Sequence, residues 1–109
     1  MKYDVLILEP AKIFLSNCDI KLRAKAFRTI ELLQEFGPVL KEPHSKKIVG
    51  TKDLYELRVK FSTNICRLFY FHHNNKIYVI TSGYIKKEHK LNKQEIEKAL
   101  KLMKLFKED

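Results

Sequence analysis

Apolar and polar residues alternate with a period of two in three closely spaced runs: LYELRVKF (Leu54 to Phe61), ICRLFYF (Ile65 to Phe71) and KIYVITS (Lys76 to Ser82). Successive side chains of a strand point to opposite faces, so this period predicts strands. The intervening breaks, Ser62-Thr63-Asn64 and His72-His73-Asn74-Asn75, are short and polar and read as turns. The third run ends in a further turn, Gly83-Tyr84-Ile85-Lys86-Lys87. An antiparallel meander with cations on one surface is expected. In the first strand Tyr55, Leu57, Val59 and Phe61 share one face, while Leu54, Glu56, Arg58 and Lys60 share the other. In the second, Ile65, Arg67, Phe69 and Phe71 oppose Cys66, Leu68 and Tyr70. Arg67 is thus a cation in an apolar face. Three placements suit it: the sheet edge, a carboxylate partner such as Glu56, or a bound anion.

Around this meander the period changes. Tyr3, Val5 and Ile7 alternate with Asp4 and Leu6, predicting a strand over Tyr3 to Leu8 that Pro10 closes. A short helix or turn over Ala11 to Asn17 follows. Asp19 then caps a helix through Phe36, in which Leu22, Ala26, Phe27, Ile30, Leu33 and Phe36 recur at helical spacing and Gly37-Pro38 forms the stop. The two helices form a hairpin against one sheet face. Val39 to Asp53 is polar and reads as a loop with a short extended piece near Ile48. The last element starts at Asn92, with Glu95 placed for a capping box, and carries the stripe Ile96, Ala99, Leu100, Met103 and Phe106. The outcome is an α+β domain: strand, helical hairpin, three-stranded meander, closing helix. No Pro/Gly/Ser-rich linker divides the chain, so residues 1–109 are expected to form one domain.

Charge sharpens this picture. A formal net charge of +9 on 109 residues favours polyanionic or acidic partners, although it says nothing about fold. Cys18 and Cys66 lack the paired spacing of a zinc or redox motif and are expected as small buried thiols. His72-His73 has no metal-ligand partner at a suitable spacing, and no cofactor is implied. There is no signal-peptide core, and no apolar run approaches membrane-spanning length, so a soluble cytoplasmic protein without a membrane partner is expected.

Three motifs now stand in order: GTKDLYELR (Gly50 to Arg58), CRLFY (Cys66 to Tyr70) and GYIKK (Gly83 to Lys87), followed by the closing helix. The set resembles the HigB-like, phage-derived branch of the RelE/ParE toxin superfamily. In that branch a Leu-aromatic-Glu-Leu-Arg strand, an arginine-containing aromatic strand and a Gly-aromatic-x-Lys-Lys turn follow one another at similar distances. The likeness covers nearly the whole chain, and each motif alone is weak. It implies the toxin of a type II toxin-antitoxin system, an mRNA interferase that acts on messenger RNA on the ribosome without a metal. In such enzymes the ribose 2′-hydroxyl attacks the adjacent phosphorus, leaving a cyclic phosphate and a 5′-hydroxyl. It also implies a HigA-like helix-turn-helix antitoxin, with operator DNA met only through the toxin–antitoxin complex.

Carried over by position, Arg58 matches the Glu-Leu-Arg arginine, Arg67 the second-strand arginine, and Lys86 and Lys87 the basic pair. The resemblance makes Arg67 the leading candidate for a bidentate phosphate clamp, a task suited to guanidinium geometry. Arg58 shares that task or helps activate the 2′-hydroxyl. Lys86 stabilises or protonates the leaving oxygen, provided neighbouring cations depress its pKa. Glu56 orients an arginine or serves as base. Tyr84 either stacks a base or anchors the closing helix. Many relatives carry a histidine before the glycine where this chain has Thr81-Ser82-Gly83, and His89 stands nearby as a replacement or as a plain loop residue. Lys46, Lys47, Lys52, Lys60 and Lys90 complete a basic rim able to follow an RNA backbone. Two other functions use the same scaffold: a ParE-like gyrase inhibitor without catalysis, and a non-catalytic basic RNA-binding module.

Overall fold

The computed structural model describes residues 2–74, 77–86 and 92–108. Five strands, β1 (Asp4–Ile7), β2 (Ser45–Lys47), β3 (Tyr55–Phe61), β4 (Asn64–His73) and β5 (Ile77–Lys86), form one sheet in the order β1-β5-β4-β3-β2. The β2-β3-β4-β5 pairs are antiparallel, and β1 joins β5 in parallel. Helices α1 (Glu9–Ser16) and α2 (Ile20–Phe36) cross from β1 to the far edge, and α3 (Lys93–Glu108) closes the chain. The expected α+β architecture is the observed one.

Strand alternation sorts the core into two layers. Leu57, Val59, Cys66, Leu68, Tyr70, Tyr78 and Ile80 face α1 and α2, meeting Ala11, Leu15, Leu22, Ala26, Ile30 and Leu33. On the reverse face Phe69, Phe71 and Val79 meet Ala99 and Met103 of α3, with Ile48 and Leu54 completing the layer. Each layer buries aliphatic and aromatic area that drives association of helix and sheet.

The helix ends follow the sequence cues. Asp19 accepts from the Lys21 and Leu22 amides, both at 2.9 Å. Gly37, at φ 54°, donates its amide to Leu33 O and lies against the Tyr3 ring, where a side chain would not fit. Asn92 Oδ1 accepts from the Gln94 and Glu95 amides at 2.9 and 3.3 Å.

Four expectations need correction. Pro10 does not close β1; it sits in the first turn of α1, where a missing N–H costs nothing. The paired extended piece of the long loop is Ser45–Lys47, just before Ile48. His72-His73 is not a turn, because β4 runs through both and His72 stacks on Tyr78 across the sheet at 4.5 Å. Nor is Gly83 to Lys86 a turn: it is the second half of β5, paired to β4 as far as Ile65↔Lys86.

The register explains why this last correction matters. Phe69 pairs with Ser82 and Tyr70 with Ile80, so a bulge gives β5 one extra residue, Thr81. Before the bulge the even-numbered residues Tyr78 and Ile80 face α1 and α2; after it, Ser82, Tyr84 and Lys86 face the other way. Gly83 falls on the α1 side, where an added Cβ would stand 2.6 Å from Leu68 Cδ2 and 2.8 Å from Phe14 Cδ2. Gly83→Ala is therefore expected to cost about 1–3 kcal/mol through overpacking. Urea unfolding of the variant checks this, since an unchanged midpoint would show that the two side chains yield freely.

Burial also sets an alkaline limit. Desolvation pushes the Cys66 thiol and the Tyr70 and Tyr78 phenols up to about 12, from about 9 and 10. The unfolded chain loses these protons first, so the folded state holds more of them through the interval. Their contribution is complete below roughly pH 9 and is lost as pH rises toward 12. The urea midpoint should fall continuously across that window; a flat profile would contradict the burial of these groups.

Candidate active site

Pairing of β3, β4 and β5 places the sequence candidates in rows across one sheet face. Lys60, Ile65 and Lys86 make one row, Arg58, Arg67 and Tyr84 the next, and Glu56, Phe69 and Ser82 the third. Rows two residues apart are separated by about 7 Å. The bulge at Thr81 is what turns Tyr84 and Lys86 onto the face of Arg58 and Arg67.

Two arginines directly opposite each other repel unless something lies between them. Glu56 fills that role. Arg67 Nη1 donates to both Glu56 carboxylate oxygens at 2.7 Å, and Arg58 Nε lies 3.5 Å from Oε1. Glu56 and Arg67 are each 2% exposed, whereas the Arg58 side chain is 31% exposed. Removing such charges from water is costly, and the mutual attraction offsets that cost only at close geometry. One carboxylate against two guanidiniums leaves the triad one positive charge in excess, presented to solvent by Arg58.

This arrangement corrects the leading sequence assignment. Arg67 is not a solvent-facing clamp: of the three placements open to it, the structure shows the carboxylate partner. Its Nε is buried without a hydrogen-bond partner, so the guanidinium keeps unused donor capacity. Glu56 is engaged through both oxygens, which suits orientation of the arginines better than proton abstraction. Lys86, at the end of the neighbouring row, is 9% exposed.

Tyr84 ties the site to α3. Its ring stacks on Phe69 at 5.8 Å with 21° between planes, and its hydroxyl oxygen accepts from the Asn92 amide at 3.2 Å. That contact occupies the amide that the Glu95 arm of a capping box would satisfy. Burial raises the Tyr84 pKa, and the Asn92 contact partly opposes it. The anchoring role left open by the sequence is thus the one seen.

The basic rim divides. Lys46 lies opposite Glu56, on the arginine face, and pairs with Glu42 at 3.8 Å, while Lys47 lies opposite Tyr55 on the other face. Lys60 and Lys52 are exposed. Lys87, His89 and Lys90 lie outside the described residues.

Sequence reasoning missed two contributions. Lys25 and His44 join Arg58 and Lys60 around a cleft of about 410 Å³. Lys25 borders the buried stripe of α2 at Leu22, Ala26 and Thr29, but helical spacing could not show which strand it approaches. Glu95, read only as part of a cap, has a buried Oε2 without a partner. Among the described residues no group of three or more His, Cys, Asp or Glu side chains could hold a metal ion, and no helix is long and apolar enough to cross a membrane.

A family model described as "Phage derived protein Gp49-like (DUF891)" matches residues 13–104. No curated protein matches significantly. Among solved structures, an arginine-to-alanine double variant of the E. coli toxin RelE in the free state aligns over 93% of this chain and 97% of its own, with 22% identity and a TM-score of 0.69. The RelE–RelB complex of Pyrococcus horikoshii aligns over 83% and 100%, at 22% identity and TM-score 0.61. The intact E. coli RelBE toxin–antitoxin complex aligns over 81% and 99%, at 19% identity and TM-score 0.60. At these identities the likeness establishes a shared RelE fold.

Proposed function

This chain belongs to the phage-derived Gp49-like family, and on that premise we propose that it is the toxin of a type II toxin–antitoxin pair, an endoribonuclease that cuts messenger RNA on the ribosome. The single observation that carries the reading is the Arg58–Glu56–Arg67 triad beside Lys86 on one sheet face. Negative charge accumulates on the phosphate oxygens during transfer, and fixed cations stabilise it best where water is scarce.

In the proposed mechanism Arg58 binds a non-bridging oxygen of the scissile phosphate. Arg67 fixes Glu56, which in turn fixes Arg58, and adds its positive field from beneath. The 2′-hydroxyl oxygen attacks phosphorus and gives up its proton; the bond to the 5′-oxygen breaks, and that oxygen gains a proton with Lys86 positioned to stabilise it. The products are a 2′,3′-cyclic phosphate and a 5′-hydroxyl. No resident metal is part of this scheme.

Sequencing of RNA ends after induction in a bacterium tests it. New 5′-hydroxyl ends in messenger RNA are expected, whereas 5′-phosphate ends would show attack by water and overturn the mechanism. The depth of the Arg67–Glu56 pair favours a second reading, a gyrase inhibitor on the same scaffold, for which intact messenger RNA and inhibited supercoiling are the signature. The two solved complexes with antitoxins support a protein antitoxin here as well. The motif order of the HigB-like branch suggests a helix-turn-helix partner, acting in the cytoplasm. Co-expression of a neighbouring reading frame should rescue growth.

A further inference from the structure

The cleft lined by Lys25, Pro43, His44, Arg58, Lys60 and Ile65 has no place in the scheme above beyond its shared Arg58. It forms where β2 ends. β2 pairs only with Tyr55–Leu57, and the Arg58 amide donates to His44 O at 2.8 Å, which seats the Pro43-His44 loop against the strand. Alternation along β3 directs the Lys60 amide to the same edge as the Arg58 amide, past the last β2 residue. From the helix side, Lys25 of α2 reaches the same space.

Its chemistry is one-sided. Three permanent cations and an imidazole line it, and no carboxylate does. Neither Lys25 nor Lys60 has an ion-pair partner within 4.0 Å among the described residues. Pro43 and Ile65 supply apolar wall, and the volume of about 410 Å³ falls in the range of roughly 300–1,000 Å³ usual for small-molecule sites. Cations around a partly apolar floor match a sugar phosphate better than an acidic side chain, which would leave the apolar wall unused. The row spacing of about 7 Å along β3 is comparable to the separation of successive phosphates in an extended strand.

We propose that this cleft is a nucleotide subsite, in which Lys25, Lys60 and His44 hold the phosphate of the RNA nucleotide next to the scissile bond while Arg58 contacts both phosphates. The inference rests on the ribonuclease reading. It adds a binding site one nucleotide away from the reacting atoms, built partly from a helix outside the sheet face.

The test uses the full chain and a fluorescent RNA trinucleotide carrying a 2′-deoxyribose at the scissile position, which binds without being cut. Lys25→Gln should weaken binding roughly tenfold, as loss of one charge-assisted contact implies. It should also reduce the slope of log affinity against log salt by about 0.7, the signature of one phosphate released from a single strand. Lys60→Gln should behave alike, and Lys101→Gln on the exposed face of α3 should change neither quantity. Unchanged affinity and slope for Lys25→Gln, in a variant with parental circular dichroism, overturns the subsite. Displacement of amide resonances at His44 and Ile65 by hexaglutamate, with none by adenosine 5′-monophosphate, also overturns it and assigns the cleft to an acidic protein segment. Because binding is read without cleavage, the two claims separate. A chain that cuts no RNA but loses trinucleotide affinity on Lys25→Gln keeps the subsite and loses the nuclease, while the reverse result keeps the nuclease alone.

Discussion

Arg58→Ala is expected to lower the rate of messenger RNA cleavage by about 10²–10³-fold, the loss seen when one pre-placed donor to a developing oxyanion is removed. The structure explains why the effect should fall on chemistry and not on folding. Arg58 is partly exposed and contributes only the longer contact, 3.5 Å, to Glu56, whose two oxygens remain bound by Arg67. Arg58→Lys should recover little, because an ammonium group cannot reproduce the planar fork. Single-turnover cleavage of ribosome-bound message, with a urea curve in parallel, measures both quantities. Parental cleavage by a folded Arg58→Ala chain would remove Arg58 from the mechanism and with it the accessible half of the triad.

Arg67→Ala should instead act first on stability. It strands Glu56, 2% exposed, without its principal partner, and breaking a buried pair from one side typically costs about 3–5 kcal/mol. That is a large share of the 5–15 kcal/mol available to a domain. A paired replacement, Arg67→Met with Glu56→Leu, should recover most of the loss because it removes both charges together. The two urea midpoints decide the matter: if Arg67→Ala unfolds at the parental midpoint, water or another group must already compensate Glu56. The same comparison separates scaffold from chemistry, since the Met/Leu chain should fold without cleaving RNA.

Much of the architecture was legible because local chemistry and tertiary demand agree. Asp19 and Asn92 cap the helices they appear to cap, and the period-two runs from Tyr55 to Phe71 have the faces their alternation implies. The failures share a cause. Alternation shows that a run is a strand but not where an extra residue enters it, so the bulge at Thr81, and the face of Lys86 with it, could not be read. Asn74, at φ 52°, makes the turn that His72-His73 was assigned on polarity alone. The depth of Arg67 was likewise invisible, because a cation in an apolar strand face has three physical solutions and only packing chooses among them. Lys25 was missed because its neighbours come from a strand and a loop distant in sequence.

The position of β1 bears on timing. It is an edge strand whose partner residues begin only at Ile77, so nearly the whole chain must exist before Asp4–Ile7 acquires its ladder. Synthesis proceeds at about 5–20 residues per second, and contacts so distant in sequence are slow to form because loop closure precedes their reward. Lys86, the last member of the clustered cations, emerges later still. A nascent chain therefore holds β3, β4 and the helical hairpin long before it holds a finished cleft, and the ribosome that makes it is exposed to no assembled site until translation is almost done.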